Sequence, residues 1–237
     1  MRKKLKRVVV LTGAGISAES GLGTFRDKGG LWDTYDINEV ATPEAWAKNP
    51  TRVLEFYNLR RDLVIKAKPN QAHIALSELQ KHFDVHIITQ NIDDLHERAG
   101  SKNILHLHGE ILYAQSVKCD KPLFEIKDGA LKLGDCAPDG SQLRPNVVWF
   151  GEPVPKMPEA EDLVRTADYF AVVGTSLNVY PAANLIYLCP PEIKKFVVDL
   201  NHVPASKNIK VMDFRGKASE KVPLMIEHLK NLQDLSQ

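Results

Sequence analysis

The chain has 237 residues, 43% hydrophobic and 26% charged, with a net charge of +1. That balance excludes a polybasic nucleic-acid binder and an acidic tail, and no apolar run approaches the ~18 residues of a membrane helix, so neither nucleic acid nor membrane is expected as a partner. Three cysteines, an odd number, give no disulfide framework, and the cytoplasm is the expected compartment.

The start, MRKKLKRVVVLTGAG, has the charged-then-apolar order of a signal peptide. Its apolar run ends after a few residues in a glycine turn without a small-residue cleavage site, so it reads as a buried first strand over 7–12. A glycine-rich loop follows, and residues 33–69 hold helical segments with no strand. Next come a helix over 70–81, a strand over 85–89, a helix over 92–99 and a strand over 104–109. Residues 113–144 are polar and turn-rich and hold two of the three cysteines. A helix over 158–167, a strand over 169–176, a helix over 181–188, strands over 196–201 and 211–214 and a last helix near 217–234 complete the chain.

Most of these strands are continuous apolar runs, as strands buried on both faces are. Their alternation with helices predicts an α/β fold, a Rossmann-like doubly wound parallel sheet with a smaller inserted module. The expected division is one catalytic domain, with a Rossmann-like part at 1–32, 70–112 and 145–237 and a small module at 33–69 and 113–144. There is no internal repeat.

Gly13, Gly15 and Ala18 form G-x-G-x-x-A directly after the first strand, the setting that a dinucleotide-binding loop requires. Glycines there let the backbone approach a pyrophosphate; a tight turn made for packing is the alternative. A dehydrogenase would place an acidic residue at the end of a second strand about 20 residues on. Here that region reads GGLWDTYDINEV, with no strand for Asp33 or Asp36 to end. A second glycine–hydroxyl turn, Gly174-Thr175-Ser176, follows a later strand, and Asn201 ends the next.

One arginine is out of place. At helical spacing Val53, Phe56, Tyr57, Leu63, Val64 and Ala67 make one apolar stripe, and Arg60 falls inside it. A guanidinium facing inward needs an anion. An internal salt bridge, or snorkelling to water, would also account for it. Arg61 is expected to be solvated.

Four stretches together resemble the sirtuin family of NAD-dependent protein-lysine deacylases, most of all its bacterial-type, desuccinylase-like subgroup: GAGISAESGLGTFRD (13–27), TQNIDDLHERAG (89–100), LHGE (107–110) and LRPNVVWFGE (143–152). GTSLNVYPAA (174–183) adds a fifth, and their order and spacing match as well. The resemblance implies NAD as cofactor and acyl-lysine proteins or peptides as substrates. It carries Gly13, Ala14, Gly15, Ser17, Thr24, Phe25 and Arg26 over as cofactor contacts. Gln90, Asn91 and Asp93 become the lining of the nicotinamide-ribose pocket, with Asn91 and Asp93 counted in the catalytic set. Gly174, Thr175, Ser176 and Asn201 are similar to the adenosine-side contacts. For Gln90 and Asn91, capping of the following helix is the plainer alternative.

His108 matches the family's catalytic histidine, and an ordinary pKa near 6.5 suits a general base at neutral pH. The neighbouring His106 is expected on a different face or edge. In the family the acyl-lysine oxygen attacks the nicotinamide ribose, nicotinamide leaves, and the histidine helps deprotonate a ribose hydroxyl; free lysine and O-acyl-ADP-ribose result. Val148, Trp149, Phe150 and Gly151, with Asn178, Val179 and Tyr180, resemble the two segments that sandwich the substrate peptide, to which a chain would add as a strand. For Trp149 and Phe150, core packing is the alternative.

Family members that remove acidic acyl groups carry Tyr-x-x-Arg where this chain has Tyr57 and Arg60, one helical turn apart. A guanidinium binds a carboxylate through two parallel hydrogen bonds and a phenol adds a third. Succinyl, malonyl and glutaryl lysine are therefore the expected substrates. A general deacetylase, a protein mono-ADP-ribosyltransferase and a non-catalytic NAD sensor are the alternatives.

Many sirtuins bind a structural zinc through two C-x-x-C pairs. The matching positions here are Ser116 and Cys119, then Cys136 and Asp139, so only two thiols remain and no metal is expected. The module would then hold together by packing around Leu123, Phe124, Ile126 and Leu131.

Overall fold

The computed structural model describes residues 5–24, 34–126, 129–202 and 209–234. Phe25, Arg26 and Asp33 lie outside the described residues. Six strands make one parallel sheet in the order β3-β2-β1-β7-β8-β9. They are β1 (Arg7–Thr12), β2 (Asp84–Thr89), β3 (Ile104–His106), β7 (Tyr169–Val173), β8 (Lys194–Asp199) and β9 (Met212–Arg215). β2 and β3 build outward on one side of β1 and β7, β8 and β9 on the other, so the strand order reverses between β1 and β7. The registers pair Thr12 with Thr89 and with Val173, which brings three strand ends level at one edge.

The continuous apolar runs are buried on both faces, as their composition requires. Val8 and Val10 face α5 (Gln71–Leu79) and α9 (Ala218–Asp234) through Leu76, Leu79, Met225 and Leu229. Val9 and Leu11 face the opposite layer, where α7 (Met157–Arg165) and α8 (Leu185–Leu188) contribute Ala160, Val164 and Ile186. The helix expected over 181–188 is split into a 3-10 turn, Ala182–Asn184, and α8.

Three further strands went unread in the sequence. They are β4 (Gly109–Ser116), β5 (Phe124–Glu125) and β6 (Leu143–Val147), paired antiparallel in the order β5-β4-β6. β4 is half-exposed and only two residues of β5 pair, so neither makes an apolar run. β6 contains Pro145, which argues against a central strand but is tolerated at an edge, where β6 lies. This sheet reaches a few residues beyond 113–144 at both ends.

The 33–69 stretch is helical, as expected: α2 (Ile37–Val40), α3 (Pro43–Lys48) and α4 (Pro50–Lys66), with Asp36, Thr42 and Asn49 capping the three N-termini through side-chain oxygens. Val53, Phe56, Tyr57 and Val64 of α4 pack on Ile111, Val147 and Trp149. Two expectations about α4 are corrected. Leu63 is exposed, and Arg61 is only 2% exposed and donates from Nη2 to the Gly129 carbonyl at 2.6 Å. The helix rolls so that its buried edge runs through Arg61, away from Leu63.

Candidate active site

A cleft of about 580 Å³ opens at the carboxyl ends of β1 and β7. Open α/β sheets bind ligands there, outside the strand ends where the order reverses. A second cavity, about 490 Å³, lies at the opposite edge beside Ser77, Gln80 and Asn103 and carries none of the expected site residues. The cleft gathers those that are described: Gly13, Ala14, Gly15, Ser17 and Thr24; Gln90, Asn91, Asp93 and His108; Tyr57 and Arg60; Val148, Trp149, Phe150 and Gly151; Gly174, Thr175 and Ser176; Asn178, Val179 and Tyr180; and Asn201.

The glycine loop begins where β1 ends and turns into α1 (Ala14–Ala18). Its N–H groups at Gly13 and Gly15 donate to the carbonyls of Val173 and Gly174, at 3.0 and 2.8 Å. A Cβ on Gly15 would stand 2.7 Å from Gly174 Cα, and one on Gly174, at φ +64°, 2.3 Å from the Ile16 nitrogen. From the sequence, these glycines make room for a pyrophosphate; in the structure they let two loops interlock. The open side of the loops carries neutral donors, the Thr175 and Ser176 hydroxyls and the Gln90 and Asn201 amides. That donor set and a volume inside the usual ~300–1,000 Å³ of a small-molecule site fit a dinucleotide. Asn201 lies past the end of β8, and its N–H donates to Asp199 Oδ1 at 2.9 Å.

Beneath the loop lies a buried polar network. Ser17 Oγ donates to Asp93 Oδ2 at 3.0 Å and accepts from Asn91 Nδ2 at 3.1 Å. The same Asn91 amide reaches the Gly13 carbonyl at 3.2 Å, and the Leu95 N–H donates to Asp93 Oδ1 at 3.2 Å. Burial raises the Asp93 pKa, and the hydrogen bonds from Leu95 and Ser17 pull the other way. His73 Nε2 lies 3.4 Å from Ser17 Oγ, and its Nδ1 accepts from the Asn70 N–H at 3.3 Å. Asn91 and Asp93 thus brace the glycine loop, and only α6 (Leu95–Arg98) of the helix expected over 92–99 forms. His73 and His96 were missed in the sequence, where a histidine on an amphipathic helix carries no signal of its own.

His108 does not lie on a strand. β3 stops at His106, and Leu107 and His108 form the turn that carries the chain from the large sheet into the small one. Gly109 makes that turn possible: its φ is +81°, and a Cβ there would sit 2.2 Å from the Asn146 carbonyl oxygen. The His108 Nδ1 lies 2.9 Å from the Gln90 carbonyl, which fixes the proton on Nδ1 and leaves Nε2 as a lone pair. Burial lowers the His108 pKa, so the ring is neutral at pH 7. The expected separation of His106 from His108 is wrong. Even on an extended chain residues two apart would share a side, and across the turn both rings lean on the same segment, His106 Nδ1 lying 3.1 Å from the Asn91 carbonyl.

Tyr57 and Arg60 share a wall of the cleft. Burial raises the Tyr57 pKa, so the phenol keeps its proton. Burial lowers that of Arg60, against the pull of Asp93 and Tyr57. Arg60 Nη1 donates weakly to the Gly23 carbonyl at 3.4 Å, and among the described residues no carboxylate lies within ion-pair distance. Trp149 is buried against Trp46, 5.6 Å between ring centres, while Phe150 is 44% exposed. Both aromatics line the cleft, Trp149 from within the core and Phe150 from the exposed side.

At the positions matching a zinc site, Ser116 Oγ bonds Ser141 Oγ, which donates to Asp139. Cys119 and Cys136 are exposed free thiols, and no group of metal ligands occurs among the described residues. Leu131 is buried with Phe124 and Ile126 against Leu54 and Ala114, but Leu123 is exposed, contrary to expectation.

Known proteins place this architecture. Residues 13–181 match the model of the Sir2 family. An NAD-dependent protein deacylase of Helicobacter pylori is 53% identical over 87% of this chain and 86% of its own. A relative of the same description from Bacteroides thetaiotaomicron is 48% identical over 96% of this chain and 98% of its own. The solved structure of a Sir2 homolog–NAD complex superposes with a TM-score of 0.86 at 40% identity, covering 96% of this chain and 91% of that one. The chain belongs to the Sir2 family and is a sirtuin of bacterial type.

Proposed function

We propose that this sirtuin removes acyl groups ending in a carboxylate, such as succinyl, malonyl or glutaryl, from protein lysine. The broader activity is that of its Sir2 relatives, NAD-dependent protein deacylation. The observation that carries the finer reading is the Tyr57–Arg60 pair in the cleft wall, a protonated phenol beside a guanidinium with no carboxylate in ion-pair range among the described residues. A carboxylate entering there gains a bidentate partner and a hydroxyl donor.

When bound, NAD would supply the electrophilic ribose carbon and a ribose hydroxyl whose proton must be removed. His108 is the group placed to remove it, through a free Nε2 on a neutral ring. Gln90 orients that ring through its carbonyl. Ser17, Asn91 and Asp93 hold the glycine loop in position. The segments around Phe150 and Val179 flank the cleft and receive the substrate chain as an added strand.

The test compares kcat/KM for one peptide carrying acetyl-, succinyl- or glutaryl-lysine on wild type and Arg60→Met. A strong preference for the acidic groups that falls on the order of a hundredfold in the variant is expected. Equal turnover of all three, unchanged in the variant, would make Arg60 an internal counter-charge to Asp93.

A further inference from the structure

The scheme above leaves His106 without a task, yet its ring stands between two acceptors. Nδ1 lies 3.1 Å from the Asn91 carbonyl oxygen and Nε2 lies 2.8 Å from Glu97 Oε1. Neither a carbonyl nor a carboxylate has a proton to give. A neutral imidazole carries one N–H, so either tautomer would turn a lone pair toward an oxygen; only the imidazolium satisfies both. The groups facing it agree. Glu97 comes from α6, Glu110 from β4 and Asp93 from the loop before α6, while His96, which also interacts with His106, is held neutral by burial. Burial works against the charge on His106, but the hydrogen bond and charge of Glu97, with Glu110 and the Asn91 carbonyl, outweigh it and raise the pKa.

His106 and His108 therefore pin two consecutive carbonyls. His108 donates to Gln90, which sets its tautomer, and His106 donates to Asn91. The peptide unit between those carbonyls cannot shift without disturbing both rings. Once His106 loses its proton, the charged acceptor Glu97 keeps the remaining N–H on Nε2, Nδ1 turns a lone pair toward the Asn91 carbonyl, and the segment that orients His108 is released on one side.

We propose that His106 is a positioning residue, held as an imidazolium between Asn91 and Glu97, and that its deprotonation disorders the alignment of His108 and slows deacylation. The functional half of this rests on the reading of His108 as the base. The sign follows from the direction of the shift. The clamp is complete below the ordinary histidine value of ~6.5 and is lost as pH rises through the raised value.

Two measurements test it. Imidazole nitrogen NMR on histidine-labelled protein, with the His106 signal assigned by its loss in His106→Gln, should show both ring nitrogens protonated on the acid side and a titration midpoint above ~6.5. A midpoint at or below ~6.5 overturns the proposal, and this readout needs no turnover. The second is the pH profile of kcat at saturating NAD and acyl peptide. Wild type should fall on the alkaline side at the midpoint seen by NMR. His106→Gln, whose amide donates but does not titrate, should be about tenfold slower at pH 7 and lack that limb. An identical limb in both proteins overturns the positioning role. Full turnover by His108→Ala would instead overturn the reading of His108 and leave the NMR result standing.

Discussion

The Arg144 guanidinium lies 3.6 Å from the centre of the Trp149 ring and grips Glu152 through both carboxylate oxygens, at 2.6 and 2.9 Å. Glu152 also accepts the Trp149 N–H at 2.7 Å, so one ion pair fixes both the ring and the backbone of the residue beside Tyr57. Glu152→Gln keeps the size and loses the charge, leaving a mostly buried guanidinium unmatched. We expect a loss of roughly 3 kcal/mol in unfolding free energy by urea denaturation. Unchanged stability would mean that the stacking on Trp149 alone holds Arg144.

His73 is fully buried and its pKa is pushed down to about 4, by burial first and then by the charge of Arg98. In the unfolded chain it titrates near 6.5. The unfolded state therefore takes up the proton first, and stability is complete above pH 6.5 and declines as pH falls toward 4, by roughly 3 kcal/mol from this residue. Urea midpoints at pH 7 and pH 5 should diverge for wild type and converge for His73→Gln. Equal divergence in both proteins would assign the acid sensitivity to other groups, His96 first.

The Ser116–Ser141–Asp139 chain occupies the place where relatives with four thiols would bind zinc. Ser141 is buried, and removing its hydroxyl leaves Ser116 short of a partner. Ser141→Ala should lower stability by about 1–2 kcal/mol, while a chelator leaves the wild-type Tm where it was. A chelator that lowers the Tm would show that Cys119, Cys136 and Asp139 hold a metal after all.

Gly15→Ala forces a methyl carbon to within 2.7 Å of Gly174 Cα, backbone against backbone. We expect a stability loss of about 1–3 kcal/mol and, by titration calorimetry, weaker binding of NAD. Wild-type affinity in a destabilised variant would separate the packing of these loops from their ligand geometry.

Much of the large sheet was legible because its strands are unbroken apolar runs bounded by turn residues: RVVVLT and YFAVV mark themselves. The small sheet was not, since β4 is only partly buried with a register shift between Gly109 and Ala114, and β6 contains Pro145. Site residues that form motifs, such as Gly13, Gln90 and His108, were found by their neighbours in sequence and do meet in one cleft. Residues whose task depends on what lies across from them were invisible. Arg61 looked solvent-facing because helix spacing does not report which way a helix rolls. His106 gave no sign of its role, because its acceptors, Asn91 and Glu97, come from a different element. Glu152 sat inside a recognised motif, yet only the fold shows that it binds Arg144.

The interlock of Gly15 with Gly174 joins two parts of the chain separated by more than half its length. Neither loop has its shape without the other, since each fills the space beside the other's backbone. The cleft consequently has no half-built form. A nascent or truncated chain that has not yet reached β7 possesses the full glycine motif and still no nucleotide site. Binding competence therefore depends on closure of the central strands β1 and β7.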